Sequence, residues 1–90
     1  MSTDIKTRFE KAIEDVEKLP RRPNNDTLLK LYALYKQGLD GDVSGPKPGF
    51  FDFVGTVKYE AWAKLKGMRS EQAMRDYIEL VKKLEDEQAR

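Results

Sequence analysis

Ninety residues carry 17 lysines and arginines against 16 aspartates and glutamates, a net charge of +1, and 39% of them are hydrophobic against 37% charged. That balance describes one soluble, core-forming domain over residues 1–90, near the lower size limit for a single apolar core, and excludes a disordered chain. It supplies no basic field for nucleic acid, and no apolar run approaches the ~20 residues of a membrane span.

The opening segment MSTDIKTRFE is too polar for a secretory signal, so a cytoplasmic protein is the simplest expectation; a monomer is expected as well. Ile5, Phe9, Ala12, Ile13, Val16 and Leu19 recur at steps of three and four, which marks a first amphipathic helix. Pro20 and Pro23 end it, since neither can continue a helix interior. The cluster NNDT, residues 24–27, offers several N-caps for a second helix from about residue 26 to 39. Residues 40–49, DGDVSGPKPG, are dense in glycine, proline and short polar side chains and read as a loop, long for so small a domain.

A third helix follows, with Val54, Val57, Ala61, Trp62 and Leu65 on one side and Gly67 as its stop. Trp62 continues that stripe and is expected in the core. Ser70 is placed to cap a fourth helix, with Glu71 in its first turn. Ala73, Met74, Tyr77, Ile78, Val81 and Leu84 form the apolar stripe of that helix, and EDEQAR frays into solvent. No strand-like alternation and no repeat interrupts the pattern, which specifies a four-helix, all-α domain.

The chain has no cysteine and no histidine. It therefore lacks a thiol nucleophile, a thiolate zinc site and the commonest general base. Ser2, Ser44 and Ser70 stand in no G-x-S-x-G setting. Binding is expected rather than catalysis, with no cofactor and no metal. Asp40 and Asp42 beside the glycines lack the spacing of a calcium loop and read as turn and cap residues.

The second helix carries an unusual face. Tyr32, Tyr35 and Lys36 stand at i, i+3 and i+4. At ~100° per residue from Leu28, Leu39 falls near ~20°, Tyr32 near ~40°, Lys36 near ~80° and Leu29 near ~100°. Leu31, Leu34 and Tyr35 fall at roughly 300°, 240° and 340°, so the apolar and aromatic arc is about twice the ~100° stripe that one core uses. Two readings stay open at this point. The rings pack against other helices with Lys36 snorkelling between them, or they form a recognition face. In the second case a ring stacks a base, a phenol donates to phosphate and the ammonium pairs with phosphate charge.

An ordered set of residues bears on that choice: YALYKQ from Tyr32, Gly41-Asp42, Pro48-Gly49, Asp52, Gly55, Lys58, Ala61-Trp62, Gly67, Ala73-Met74, Tyr77-Ile78 and Val81. In this set the chain resembles the acyl-CoA-binding protein family over nearly its whole length. The resemblance implies a four-helix bundle of up-down-down-up topology, with helices 2 and 3 parallel and joined by an overhand connection at 40–49. It implies reversible binding of medium- to long-chain fatty acyl-CoA thioesters, as a cytosolic carrier and buffer without turnover. By the same resemblance Tyr35 stacks on adenine, Lys36 and Lys58 hold the 3′-phosphate and its neighbours, Tyr32 donates to phosphate, and Tyr77 touches the ligand from helix 4. Ile13, Leu28, Leu29 and Phe53 are the expected acyl groove. Transient contacts with acyl-CoA-using enzymes or membranes are the expected partners beyond the ligand.

The chain departs from the family pattern in places. Tyr59 stands where tryptophan is usual, and Val54, Thr56 and Glu17 stand where lysines are frequent, so weaker hold on the head group is expected. Arg69 takes the place of a common serine cap, and Leu39, after Gly38, is expected to reshape the groove slightly. The alternative reading is a helical protein-interaction module that keeps the fold without the ligand and uses the tyrosine face for a partner helix. A thioesterase or isomerase lacks a plausible nucleophile or base.

Overall fold

The computed structural model describes residues 4–89; residues 1–3 and Arg90, the ends of the expected 1–90 domain, lie outside the described residues. Its elements are α1 (Ile5–Glu17), α2 (Asn25–Asp40), α3 (Phe53–Ala63) and α4 (Ser70–Gln88).

Short polar side chains start three of the helices by satisfying backbone donors that have no partner within the helix. Asp4 accepts from the Lys6 amide at 2.8 Å, Asn24 from Thr27 at 2.9 Å and Asp52 from Gly55 at 2.8 Å. The fourth start differs from the sequence expectation. Arg69, not Ser70, holds the extended cap conformation at φ −66° and ψ 141° and makes no side-chain cap bond, so Ser70 is the first helical residue. Gly67 is likewise not the immediate stop of α3. The helix ends at Ala63 and tightens through short turns (Leu65 amide to Trp62 carbonyl, Lys66 to Ala63) before Gly67 reverses the chain at φ 94°.

Pairings at the helix ends fix the topology. The start of α2 and the start of α3 line one cavity, and Lys36 near the end of α2 lies over Trp62 near the end of α3. These two helices therefore run parallel. The Arg21 backbone, ahead of α2, is bonded to Gln88 at the end of α4, whereas Gln37 near the end of α2 bonds to the Met68 carbonyl ahead of α4. Thus α4 opposes α2 and follows α1, which gives up-down-down-up. The 41–52 connection makes the parallel pair possible by running back along α3. Trp62 donates to the Gly41 carbonyl at 2.8 Å, Tyr59 to the Gly45 carbonyl at 3.0 Å, and Lys47 pairs with Glu60 at 3.0 Å.

The core joins α1, α2 and α4 through Phe9, Ala12, Leu31, Leu34, Ala73, Tyr77 and Val81. Phe9 meets Tyr77 edge to face at 5.2 Å, the arrangement aromatic quadrupoles favour. A side chain at Gly38 would bring its Cβ to 3.1 Å from Phe9 and 3.2 Å from Met74, so glycine lets α2 approach this cluster. Trp62 is buried as its stripe suggested.

Candidate functional site

One groove follows α2. Its first compartment, about 630 Å³, lies between α1, α2 and α4, with Ile13, Val16, Glu17, Tyr35 and Tyr77 among its walls. Its second, about 620 Å³, lies between α2 and α3 and is lined by Leu29, Phe53, Val54, Val57 and Lys58. Arg22, Leu28 and Tyr32 border both compartments and join them.

The α2 pattern explains this arrangement. Leu31 and Leu34 take the core, and the surplus aromatic arc found in the sequence is left to wall the groove. Tyr35 faces the first compartment beside Phe9, ring centroids 6.4 Å apart. Tyr77 enters from α4, and burial of its ring, with smaller effects of Tyr35 and Glu17, pushes its phenol up to about 12. Ile13 lines the first compartment, Leu29 and Phe53 the second and Leu28 both, so the residues expected to form one acyl groove divide between the compartments. Leu39 borders neither compartment and is 51% exposed.

The two lysines differ in state. The Lys58 ammonium lies 4.5 Å from the centroid of the Tyr32 ring, a cation–π contact across the second compartment. Among the described residues Lys58 has no carboxylate within ion-pair distance, and neither has Arg22. Lys36 is instead hydrogen-bonded to Asp40 one turn on, which raises its pKa, and it sits 4.8 Å over the Trp62 ring. Lys36 thus lies at the far end of α2 from Arg22 and outside both linings.

Arg22 lies between Pro20 and Pro23, and nothing in its spacing marks it as a site residue. It carries charge at the junction of the compartments, and its guanidinium donates to Asn25 at 3.4 Å. Its position is set from a distance: the Gln88 amide donates to the Arg21 carbonyl at 2.8 Å and accepts from the Arg21 amide at 2.9 Å. Two consecutive arginines in a short connector were the available signal. Chemically the groove offers aromatic faces, phenols and unpaired cations beside an apolar trough, the complement of an amphiphile with an anionic, ring-bearing head. Among the described residues no acidic cluster could hold a metal ion, and no helix is long and apolar enough to cross a membrane.

A four-helix bundle opened by such a trough defines a small helical binding protein. The sequence model of the family described as acyl-CoA-binding protein matches residues 6–81, and the chain belongs to that family. It is 47% identical over 76 residues to the acyl-CoA-binding protein of Saccharomyces cerevisiae, covering 84% of this chain and 87% of that one. The crystal structure of acyl-CoA-binding protein 2 of Oryza sativa superposes with a TM-score of 0.91 at 37% identity, covering 96% of both chains. Similarity also extends to longer proteins. It is 42% over 82 residues with acyl-CoA-binding domain-containing protein 5 of Gallus gallus, covering 87% of this chain but only 17% of that protein's length.

Proposed function

We propose that this chain, as one domain over residues 1–90, binds medium- to long-chain fatty acyl-CoA thioesters reversibly. It acts as a cytoplasmic carrier and buffer pool, a monomer without turnover and without cofactor or metal. The observation that carries this reading is the shared border of the two compartments, where Tyr32, Leu28 and Arg22 join an aromatic cleft to an apolar trough. In this reading the adenine stacks on Tyr35, and Tyr32, Lys36, Lys58 and Tyr77 hold phosphate and ribose oxygens. The acyl chain lies along Ile13, Leu28, Leu29 and Phe53, with Leu28 bridging the compartments that Ile13 and Phe53 line.

The magnitudes favour an intact thioester over either fragment. Base stacking contributes about 1–3 kcal/mol and a charge-assisted hydrogen bond about 1.5–3 kcal/mol, while each buried methylene adds up to ~0.8 kcal/mol. Family membership and the absence of histidine and cysteine support binding without chemistry. Delivery proceeds through transient contact with acyl-CoA-using enzymes or membranes. Isothermal titration with palmitoyl-CoA tests the reading, with free CoA and palmitate as controls. One-to-one binding of the thioester, far tighter than either fragment, is expected. No heat with the thioester overturns the reading and leaves the ligand-free interaction module.

A further inference from the structure

The largest exposed apolar side chains are not scattered. Phe50 is 85% exposed, Phe51 86%, Phe53 71% and Val54 71%, and Val57 follows one turn later at 45%. All lie on the tip of the α2–α3 connection and the first turns of α3. Phe50 and Phe51 pack only edge to face on each other, at 5.2 Å. Isolated exposed apolar residues are ordinary, but three phenylalanines and a valine within five positions form a continuous patch that calls for an occupant.

Two features identify that occupant. The patch runs into the acyl trough, because Phe53, Val54 and Val57 line it while Phe50 and Phe51 stand outside it. Its charged neighbours along the same trough are Arg22 and Lys58, both without an ion pair among the described residues. The one acid inside the patch, Asp52, is engaged in capping α3. Aromatic side chains beside cations suit the interface of a bilayer that carries anionic lipid. A second copy of the chain would set these cations against themselves.

We infer that Phe50, Phe51, Phe53 and Val54 form a membrane-docking tip that seats the mouth of the trough on an anionic lipid surface, so that an acyl chain passes between bilayer and protein without crossing water. The passage of cargo rests on the acyl-CoA reading; the docking itself does not.

Flotation with phosphatidylcholine vesicles containing phosphatidylserine tests it, comparing the full chain with the double variant Phe50→Ser/Phe51→Ser. The wild type is expected to float with the vesicles and the variant to lose at least fivefold of that binding. Palmitoyl-CoA titration and helicity in solution should stay unchanged in the variant. Wild-type protein that remains unbound, or a variant that floats equally well, overturns the inference. So does sedimentation showing that the phenylalanines instead drive dimers that exclude vesicles. Failure of the acyl-CoA reading shows separately, as wild type that floats but gives no heat with the thioester.

Discussion

The Lys58 ammonium stands 4.5 Å from the centroid of the Tyr32 ring, tying α3 to α2 directly across the mouth of the trough. The contact orients a charge without neutralising it, because a ring face attracts a cation but accepts no proton and forms no ion pair. In the proposed reading Lys58 therefore approaches the ligand's phosphates from a held position and with no carboxylate to displace. Replacing Lys58 with alanine is expected to weaken palmitoyl-CoA binding at least tenfold with helicity retained, since one charge-assisted hydrogen bond is worth about 1.5–3 kcal/mol. Titration at rising salt checks the cause: the wild type should lose affinity as screening increases and the variant should lose less. Equal salt dependence in both would detach Lys58 from the phosphates.

Lys36 begins from a different state, since its ammonium is hydrogen-bonded to Asp40. In the proposed reading a phosphate held by Lys36 would have to share or displace that carboxylate. Lys36→Ala is expected to cost at least tenfold in affinity, whereas Asp40→Asn should tighten binding by about two- to threefold, the removal of a competitor typically worth a few tenths of a kcal/mol in an exposed i,i+4 pair. The lysine's raised pKa predicts the pH dependence of the pair's small contribution to stability. That contribution is complete below 10.5, the ordinary lysine value, and is lost as pH rises through the higher folded value. Unchanged affinity in both variants would place Lys36 outside the site.

Away from the groove, Gln37 is fully buried and its amide donates to Asp42 at 2.9 Å and to the Met68 carbonyl at 2.7 Å, while Asp42 also accepts from the Gly67 amide at 2.8 Å. One side chain thus clips the end of α2 to both following connections. Gln37→Ala is expected to destabilise the fold by about 1–3 kcal/mol, measured by urea unfolding, because it removes both bonds and leaves a void where the buried side chain stood. The Gly67 amide, and secondarily Gln37, hold the Asp42 carboxyl below its usual value. Its stabilising effect is present above pH 3.8 and lost as pH falls through the lower folded value, so Asp42→Asn should flatten the acid limb of stability. An acid limb identical to that of the wild type would remove Asp42 from this role.

The residues differ in how much of this was legible in the chain. Periodicity exposed all four helices, although α3 fully buries only Trp62 of its stripe and leaves Val54 and Val57 exposed along the trough, and Asn24 was recognisable as a cap among its neighbours. The α4 start was missed by one residue because backbone conformation at Arg69, not side-chain chemistry, defines it. The excess aromatic arc of α2 announced a second surface, yet spacing along one helix could not divide that surface into compartments. That division depends on α1 packing on the Tyr35 side and α3 on the Leu29 side, so Ile13 and Phe53 part company only in three dimensions. Arg22 carried no periodic signal, being a connector residue fixed through its neighbour's bonds to Gln88, 67 positions away from Arg21.

Tyr77 serves the core and the groove at once, and the two roles can be separated. Its ring packs edge to face on Phe9 and is 4% exposed, while it also lines the first compartment. Tyr77→Phe keeps the ring and deletes the hydroxyl. Thermal stability at neutral pH should therefore change little, whereas palmitoyl-CoA affinity should fall several-fold if the phenol donates to the ligand, a hydrogen bond being worth about 0.5–1.5 kcal/mol net. Burial raises the phenol from 10.0 to about 12 because the phenolate is poorly solvated there. The folded state thus favours the protonated phenol, and the associated stability is intact below pH 10.0 and lost as pH rises through about 12. Denaturant titrations across that window should show a steeper alkaline decline in the wild type than in Tyr77→Phe. If the two decline together, the buried phenol is not the group that titrates, and any loss of affinity in the variant would have to come from the altered packing on Phe9.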